Sequence, residues 1–389
     1  MNAIGVAAVC LVGHPYAPIG MGEHVRMTFR AMRTAGLAPT LSDLYAMNDR
    51  ESPHLVEFSP YQTDSFGRIN VWHVNGDELA QALPHTATRR VRDSYNVIYP
   101  AWELSRYPSA WARQLEAFDE IWAPSLFIQD SIARAVTRPV VHMPLACQVV
   151  LDSFLGRRHF GIRESAFAFL FYFDVRSFQS RKNPEAVLDA FEQVAQRRPG
   201  DDLLLVLKVN GTEQNPAGYR TLLERAAALG DRVLFLPQPM VDNEVKNLVR
   251  CCDAFVSLHR SEGFGRGLAE AMCLAKPVVA TAYSGNMDFC DETTALLVPF
   301  RLVDVPEGAY PYAAGQVWAE PDISAAVRAM ERLLDDPTLA GDLGRRAAIS
   351  MRTGFGLRVA GARFRDRLEV IQNRTGQVPS SLSSGVQRA

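Results

Sequence analysis

The sequence predicts an α/β chain of two doubly wound domains facing a central cleft. Three observations predict it. Short apolar runs recur along the chain, separated by stretches with helical spacing, which is how a parallel sheet wrapped by helices reads. The pattern runs twice, and it breaks near 150–165 at LDSFLGRRHFGIRES. The length of 389 residues suits two domains, and 48% apolar residues can fill two cores. Expected boundaries are 1–155 and 165–355. A helix over 356–372 then crosses back to the first domain, and 373–389 form a Ser/Gly-rich tail expected to be disordered.

The first cycle opens with IGVAAVCLV (4–12), which reads as a buried strand. The Gly/Pro loop GHPYAPIGMGE follows, with Gly20 and Gly22. HVRMTFRAMRTAG then has helical spacing and ends at Gly36. Strand, Gly-rich loop and helix in that order are the Rossmann-type opening. INVWHVN, YNVIYPAW, EIWAPS and VVHMPLA supply further strands. The second cycle runs through AFAFLFYFD (166–174), LLLVLKV, RVLFLP, AFVSL, PVVAT and ALLVP. In such sheets ligands sit beyond the carboxyl ends of the strands.

Composition excludes several classes. Formal charge is −2, so no bulk attraction to nucleic acid or to an anionic membrane is expected. The six cysteines have no zinc-ligand spacing and read as small buried hydrophobes in a reducing cytosol. The N-terminus lacks the basic segment of a signal peptide, and no apolar run reaches 18 residues. A cytoplasmic protein is expected. No GxGxxG follows a strand with an acidic residue about 20 positions on, which disfavours a nicotinamide oxidoreductase.

The strongest chemical signal is SLHRSEGFGRGLAEAMCLAKPVVAT. A strand leads into a loop with Glu262, Phe264 and Gly265, and a helix starts near Arg266 and carries Glu270. Glycines let backbone N–H groups approach a ligand, and a helix N-terminus favours phosphate. Two carboxylates beside a phosphate site need hydroxyl donors, which a sugar and a ribose supply. The second signal is FYFDVRSFQSRKNPEAVLDAF. Arg176, Arg181 and Lys182 follow a strand, and Pro184 opens a helix. Lysine occurs only at 182, 208, 246 and 276 in an arginine-rich chain, so Lys182 reads as a specific requirement, with Arg181 as a solvated neighbour. Ser284, Gly285 and Asn286 follow another strand and could meet sugar hydroxyls or phosphate, as could His259. His73, Asn75, Asp77, Trp102 and Glu103 fall at strand ends of the first domain and read either as ligand contacts or as satisfied loop residues.

The Glu262–Glu270 segment resembles the EX7E motif of retaining GT-B glycosyltransferases of the GT4-like group. Arg176 and Lys182 resemble that group's diphosphate clamp, in which the lysine stands six residues after the arginine. WHVNGDE, YPAWELSRYP, EIWAPS and WAEPD resemble a bacterial polysaccharide-assembly, mannosyltransferase-like subgroup. The resemblance extends to about residue 372. It implies a GT-B fold, an N-terminal acceptor domain and a C-terminal nucleotide-sugar donor domain. It implies that Glu262 contacts the donor sugar and Glu270 the ribose. Phe264, Gly265 and Arg266 would offer backbone amides to sugar and diphosphate, and the Gly20–Gly22 loop would touch the diphosphate. The group usually has an aliphatic residue at the place of Arg266. The implied reaction moves a hexose, first guess mannose from GDP-mannose, to a glycan or lipid-linked glycan. Retention is implied, with no metal and no cofactor. His73, Asn75, Asp77, Trp102 and Glu103 would lie on the acceptor side. The rivals are a non-catalytic sugar-binding protein of the same fold and a GT-B phosphorylase or epimerase. Arg26, Arg30 and Arg33 near Met27 and Phe29, and Arg89, Arg90 and Arg92 near Tyr95, suggest peripheral membrane contact.

Overall fold

The computed structural model describes residues 8–46, 55–85 and 94–376. The N-terminal half runs β1 (Val9–Gly13), α1 (Gly20–Thr34), β2 (Thr40–Asp43), β3 (Ile69–Trp72), α2 (Leu79–His85), β4 (Tyr95–Ile98), α3 (Ser109–Leu115), β5 (Glu120–Ala123), α4 (Leu126–Ala133) and β6 (Val140–His142). Its strands form a six-stranded parallel sheet ordered β2-β1-β3-β4-β5-β6.

The C-terminal half runs β7 (Phe167–Asp174), α5 (Gln179–Lys182), α6 (Pro184–Arg197), β8 (Leu203–Asn210), α7 (Pro216–Ala226), β9 (Val233–Leu236), α8 (Asp242–Cys251), β10 (Ala254–Ser257), α9 (Arg266–Cys273), β11 (Val278–Thr281) and β12 (Leu296–Val298). A hairpin, β13 (Phe300–Asp304) and β14 (Val317–Pro321), precedes α10 (Ile323–Asp335), α11 (Pro337–Gly354) and α12 (Leu357–Gly376). The second sheet is also parallel and six-stranded, ordered β12-β11-β10-β7-β8-β9. Helices cover both faces of such sheets, so their strands are apolar on both sides. Accordingly, every β8 residue except Asn210 is buried.

Strand order places the functional loops. In the second sheet the chain leaves β7 toward β8 on one side and meets β10 on the other. The loops after β7 and β10 therefore flank the point where the winding reverses, where a crevice opens. Local sequence shapes both loops. Asn183 adopts a left-handed conformation (φ 56°) immediately before Pro184 starts α6, and Gly265 (φ 94°) does the same before α9.

Two features bind the halves together. The loop of the β13–β14 hairpin buries Val305, Tyr310 and Ala313 in the N-terminal core with Trp102, Leu104 and Tyr107. α12 leaves the C-terminal half and lies on α1. A Cβ at Gly361 would stand 2.2 Å from the Ala31 carbonyl oxygen, so only glycine permits this approach. Phe364 stacks on Trp122 at 5.6 Å, and Arg367 Nε donates to Glu120 Oε1 at 2.8 Å. The Glu120 carboxylate is fully buried and also accepts from Trp122 Nε1 at 2.6 Å and the Tyr95 hydroxyl at 3.2 Å.

The structure departs from the sequence reading in four places. β2 (TLSD) is a short, polar edge strand and gives no apolar run. The hairpin strands FRLVD and VWAEP are likewise too weakly apolar to announce themselves. Residues 373–376, expected in the tail, form the last turn of α12, and 377–389 lie outside the described residues. Finally, the α1 arginines read as membrane-facing have partners within the chain. Arg26 pairs with Glu23, Arg30 with Glu57, and Arg33 lies over the Tyr61 ring, while Met27 and Phe29 are buried. Arg89, Arg90 and Arg92 lie outside the described residues. Among the described residues no helix is long and apolar enough to cross a membrane.

Removing one partner of a buried ion pair leaves an uncompensated charge. Arg367→Ala is therefore expected to lower unfolding free energy by about 3–5 kcal/mol, read by urea denaturation.

Candidate functional site

A cleft of about 620 Å³ lies between the halves, within the usual range for small-ligand sites, roughly 300–1,000 Å³. Its walls come from five segments: Gly20, Glu23 and Arg26 of α1; Tyr172 and Asp174 ending β7; Arg176 and Lys182 beyond it; Met240–Asp242 before and at the start of α8; and Glu262, Gly265, Arg266 and Glu270 around the start of α9. The motifs are brought to one place because β7 and β10 are neighbours although 80 residues separate Lys182 from Glu262.

Glu262 is the electrostatic centre. Its Oε1 accepts from Lys182 Nζ at 2.5 Å, and its Oε2 lies 3.3 Å from Arg181. Burial would push the carboxyl up; Lys182 and Arg181 outweigh burial and hold it at about 2. Burial lowers the Lys182 pKa, opposed by Glu262. Glu270 lines the same cleft and accepts the Tyr172 hydroxyl at 2.5 Å. Burial raises its carboxyl, against the pull of Arg266 and of the Tyr172 hydroxyl. Arg176 is exposed and bound to Asp174, at 2.9 Å from Nε to Oδ1 and 2.6 Å from Nη2 to Oδ2.

Several sequence candidates do not line the cleft. Ser284 Oγ accepts the Glu262 backbone N–H at 2.8 Å, and Gly285 N donates to Glu262 O at 2.9 Å. A Cβ at Gly285 would fall 2.0 Å from Gly263 O. His259 and Asn286 are fully buried, with His259 Nε2 and Asn286 Oδ1 at 3.0 Å. These four residues brace the Glu262 loop from behind. Phe264 is a core side chain against Phe289 and Phe355. Gly22 is a packing glycine, since a Cβ there would stand 2.2 Å from Ala17 O.

The expected acceptor-side set also disperses. His73 is fully buried edge-on to His24, with ring centroids 4.5 Å apart, and burial lowers its pKa to about 3. Asn75 Oδ1 accepts from Ala101 N at 2.9 Å. Trp102 is buried among Tyr107, Trp111 and Tyr310. Asp77 is exposed. Glu103 turns into the seam between the halves, where it accepts the Tyr310 hydroxyl and lies 3.7 Å from Arg181. Asn75, Trp102 and Glu103 are taken by loop bracing and interdomain packing, which their spacing does not reveal.

Arg181 is the largest correction. Read as solvated, it is 3% exposed. Sequence reasoning also passed over Tyr172, Glu23, Asp242 and Tyr310, and read Arg26 as a membrane contact where it lines the cleft. Tyr172 had one signal: it sits on the same strand face as Asp174, two residues on, at the strand's carboxyl end. Among the described residues no group of three His, Cys, Asp or Glu side chains is gathered to hold a metal ion.

Two facing doubly wound domains with the charged loops at the winding reversal define a GT-B fold, and solved structures agree. HepE from Anabaena, in complex with UDP and glucose, superposes with TM-score 0.71 at 13% identity, covering 94% of this chain and 100% of that one. Sucrose-phosphate synthase from Thermosynechococcus elongatus gives 0.66 at 17%, covering 94% and 99%. Residues 164–349, just under half of the chain, match the family model of glycosyl transferases group 1. D-inositol 3-phosphate glycosyltransferase of Pseudarthrobacter chlorophenolicus is 31% identical over 195 residues, 50% of this chain and 40% of that protein. Mannosylfructose-phosphate synthase of Agrobacterium fabrum is 33% identical over 109 residues, 27% of this chain and 24% of the other. The match to each of these curated relatives thus spans less than half of the relative's length.

The Glu262 pair has a pH signature. A carboxyl lowered from its ordinary 4.5 to about 2 on folding stabilises the fold above pH 4.5, and that contribution is lost as pH falls from 4.5 through 2. Wild type is expected to lose stability across that window, and Glu262→Gln to flatten this part of the profile, measured by thermal unfolding at stepped pH.

Proposed function

We propose that this protein is a glycosyltransferase that moves a hexose from a nucleoside-diphosphate sugar to an acceptor hydroxyl with retention and without a metal ion. One observation carries the reading: a buried carboxylate paired with two cations, eight residues before a second carboxylate in the same cleft. Glu262 would accept hydroxyls of the donor sugar. Glu270 would take the ribose in exchange for, or together with, the Tyr172 hydroxyl. Lys182 and the positive end of α9 would neutralise the leaving diphosphate. Arg176 would join them by exchanging Asp174 for phosphate.

In the proposed front-face step, the bond between the anomeric carbon and the phosphate oxygen breaks. A bond to the acceptor oxygen forms on the same face, and the acceptor proton passes to the departing phosphate. The UDP and glucose of the HepE structure and the family match support a nucleotide-sugar donor. GDP-mannose is the first donor to test. The acceptor in this reading is a hydroxyl of a glycan, free or lipid-linked; the internal pairing of Arg26 and Arg30 weakens the membrane arm.

The deciding experiment is a donor screen by released nucleoside diphosphate, with and without EDTA. Release from one donor, unchanged by EDTA, is expected. Loss with EDTA and recovery with Mg²⁺ would overturn metal independence, and no release from any donor would favour a sugar-binding role. Glu262→Gln and Lys182→Ala are each expected to lower turnover by about 10²–10³ while the chain stays folded. Near-wild-type turnover in either variant would reject the assignment.

A further inference from the structure

Arg181 is anchored to both halves of the molecule at once. Its Nη1 donates to Ser261 O at 2.8 Å and lies 3.3 Å from Glu262 Oε2. Its Nη2 donates to Ser177 O at 3.2 Å and lies 3.7 Å from Glu103 Oε1. Glu103 follows β4 in the N-terminal half, and its other oxygen accepts the hydroxyl of Tyr310, on the hairpin arm. The arm's ring lies 6.0 Å from the guanidinium. Ser261 Oγ donates to the Glu103 carbonyl, so the backbone beside Glu262 is tied to the same N-terminal residue.

We infer that Arg181 is a positioning residue that ties the Glu262 carboxylate to the N-terminal half through Glu103, so that Glu262 takes its working place only when the two halves are together. The inference rests on the reading of Glu262 as a donor-sugar contact. The charges make the device work. With the halves together, Glu103 and Glu262 balance Arg181 and Lys182. With Glu103 withdrawn, Glu262 faces two cations alone and is drawn toward Arg181, away from the cleft. Lysine cannot replace the arginine, because one ammonium lacks the planar fork that reaches two carboxylates and two carbonyls. Glu103, expected to meet an acceptor, acts in this account through Arg181.

The test is steady-state kinetics on the full chain, per active site, with thermal midpoints recorded alongside. Arg181→Lys keeps the buried charge and is the safeguard should Arg181→Met fold poorly. Both are expected to lower kcat by about 10²-fold, with a smaller change in donor KM. In Arg181→Met the acid limb of kcat/KM moves upward, because Glu262 retains one cation instead of two. Glu103→Gln is expected to lower kcat about tenfold alone and to have no further effect in the Arg181→Met background, since residues acting through one another are not additive. An Arg181 that only supports the fold would lower the thermal midpoint and leave kcat, donor KM and the acid limb at wild-type values; that result, or equal effects of Glu103→Gln in both backgrounds, overturns the inference. Glu262→Gln, run in parallel, separates the two readings: if it keeps wild-type turnover, the donor-site reading itself has failed.

Discussion

A carboxylate taken out of water must be compensated, and in this protein the compensation of Glu262 organises much of what surrounds it. An isolated buried carboxylate protonates rather than stay charged. Glu262 stays charged because Arg181 and Lys182 arrive together on α5, after the neighbouring strand β7. That requirement ties the loop after β7 to the loop after β10, and both must then keep their shape. The left-handed turn at Asn183, whose side-chain amide donates to Leu258 O at 2.9 Å, meets that need on one side. The Ser284–Asn286 loop meets it on the other, with Ser284 itself held at φ 75°. Such backbone strain persists where the surroundings over-determine it, often at functional sites.

The same compensation reaches across the cleft. Arg181 is shared with Glu103, and Glu103 with the hairpin arm. Further contacts reinforce the seam: Ser125 Oγ donates to Gly263 O at 2.6 Å, and Asp288 receives the Leu126 N–H at the start of α4 and stands 2.8 Å from His142. The negative Asp288 at a helix N-terminus is favourably placed. The N-terminal half therefore supplies both one wall of the cleft, through α1, and part of the support of the carboxylate in the other wall.

Some of this was readable from residues alone. Glu262, Glu270, Arg176, Lys182, Gly20, Gly265 and Arg266 all reach one cleft, because each lies beyond the end of an apolar strand or within the first two turns of the helix that follows. Strand ends in a parallel sheet share one edge, so a local pattern carries global information there. His259, Asn286, Ser284, His73, Asn75, Trp102 and Glu103 share that position in the pattern and do not reach the cleft. A polar side chain at a strand end can turn toward ligand space or toward a neighbouring loop, and spacing is blind to the choice.

The sequence by itself determined the class of fold, the two cycles of strand and helix, and the residues that could meet an anion. These follow from periodicity, glycine and proline placement, and charge, all of which act over a few neighbouring residues. The tertiary structure alone decided which charges are buried. Arg181 and Lys182 are adjacent and both cationic, and local pattern, which singled out Lys182 as the specific requirement, left Arg181 as a solvated neighbour. One is enclosed between two domains and the other faces the cleft, because burial depends on what packs above a residue: Glu103 and Tyr310 arrive there from positions 78 residues before and 129 residues after Arg181.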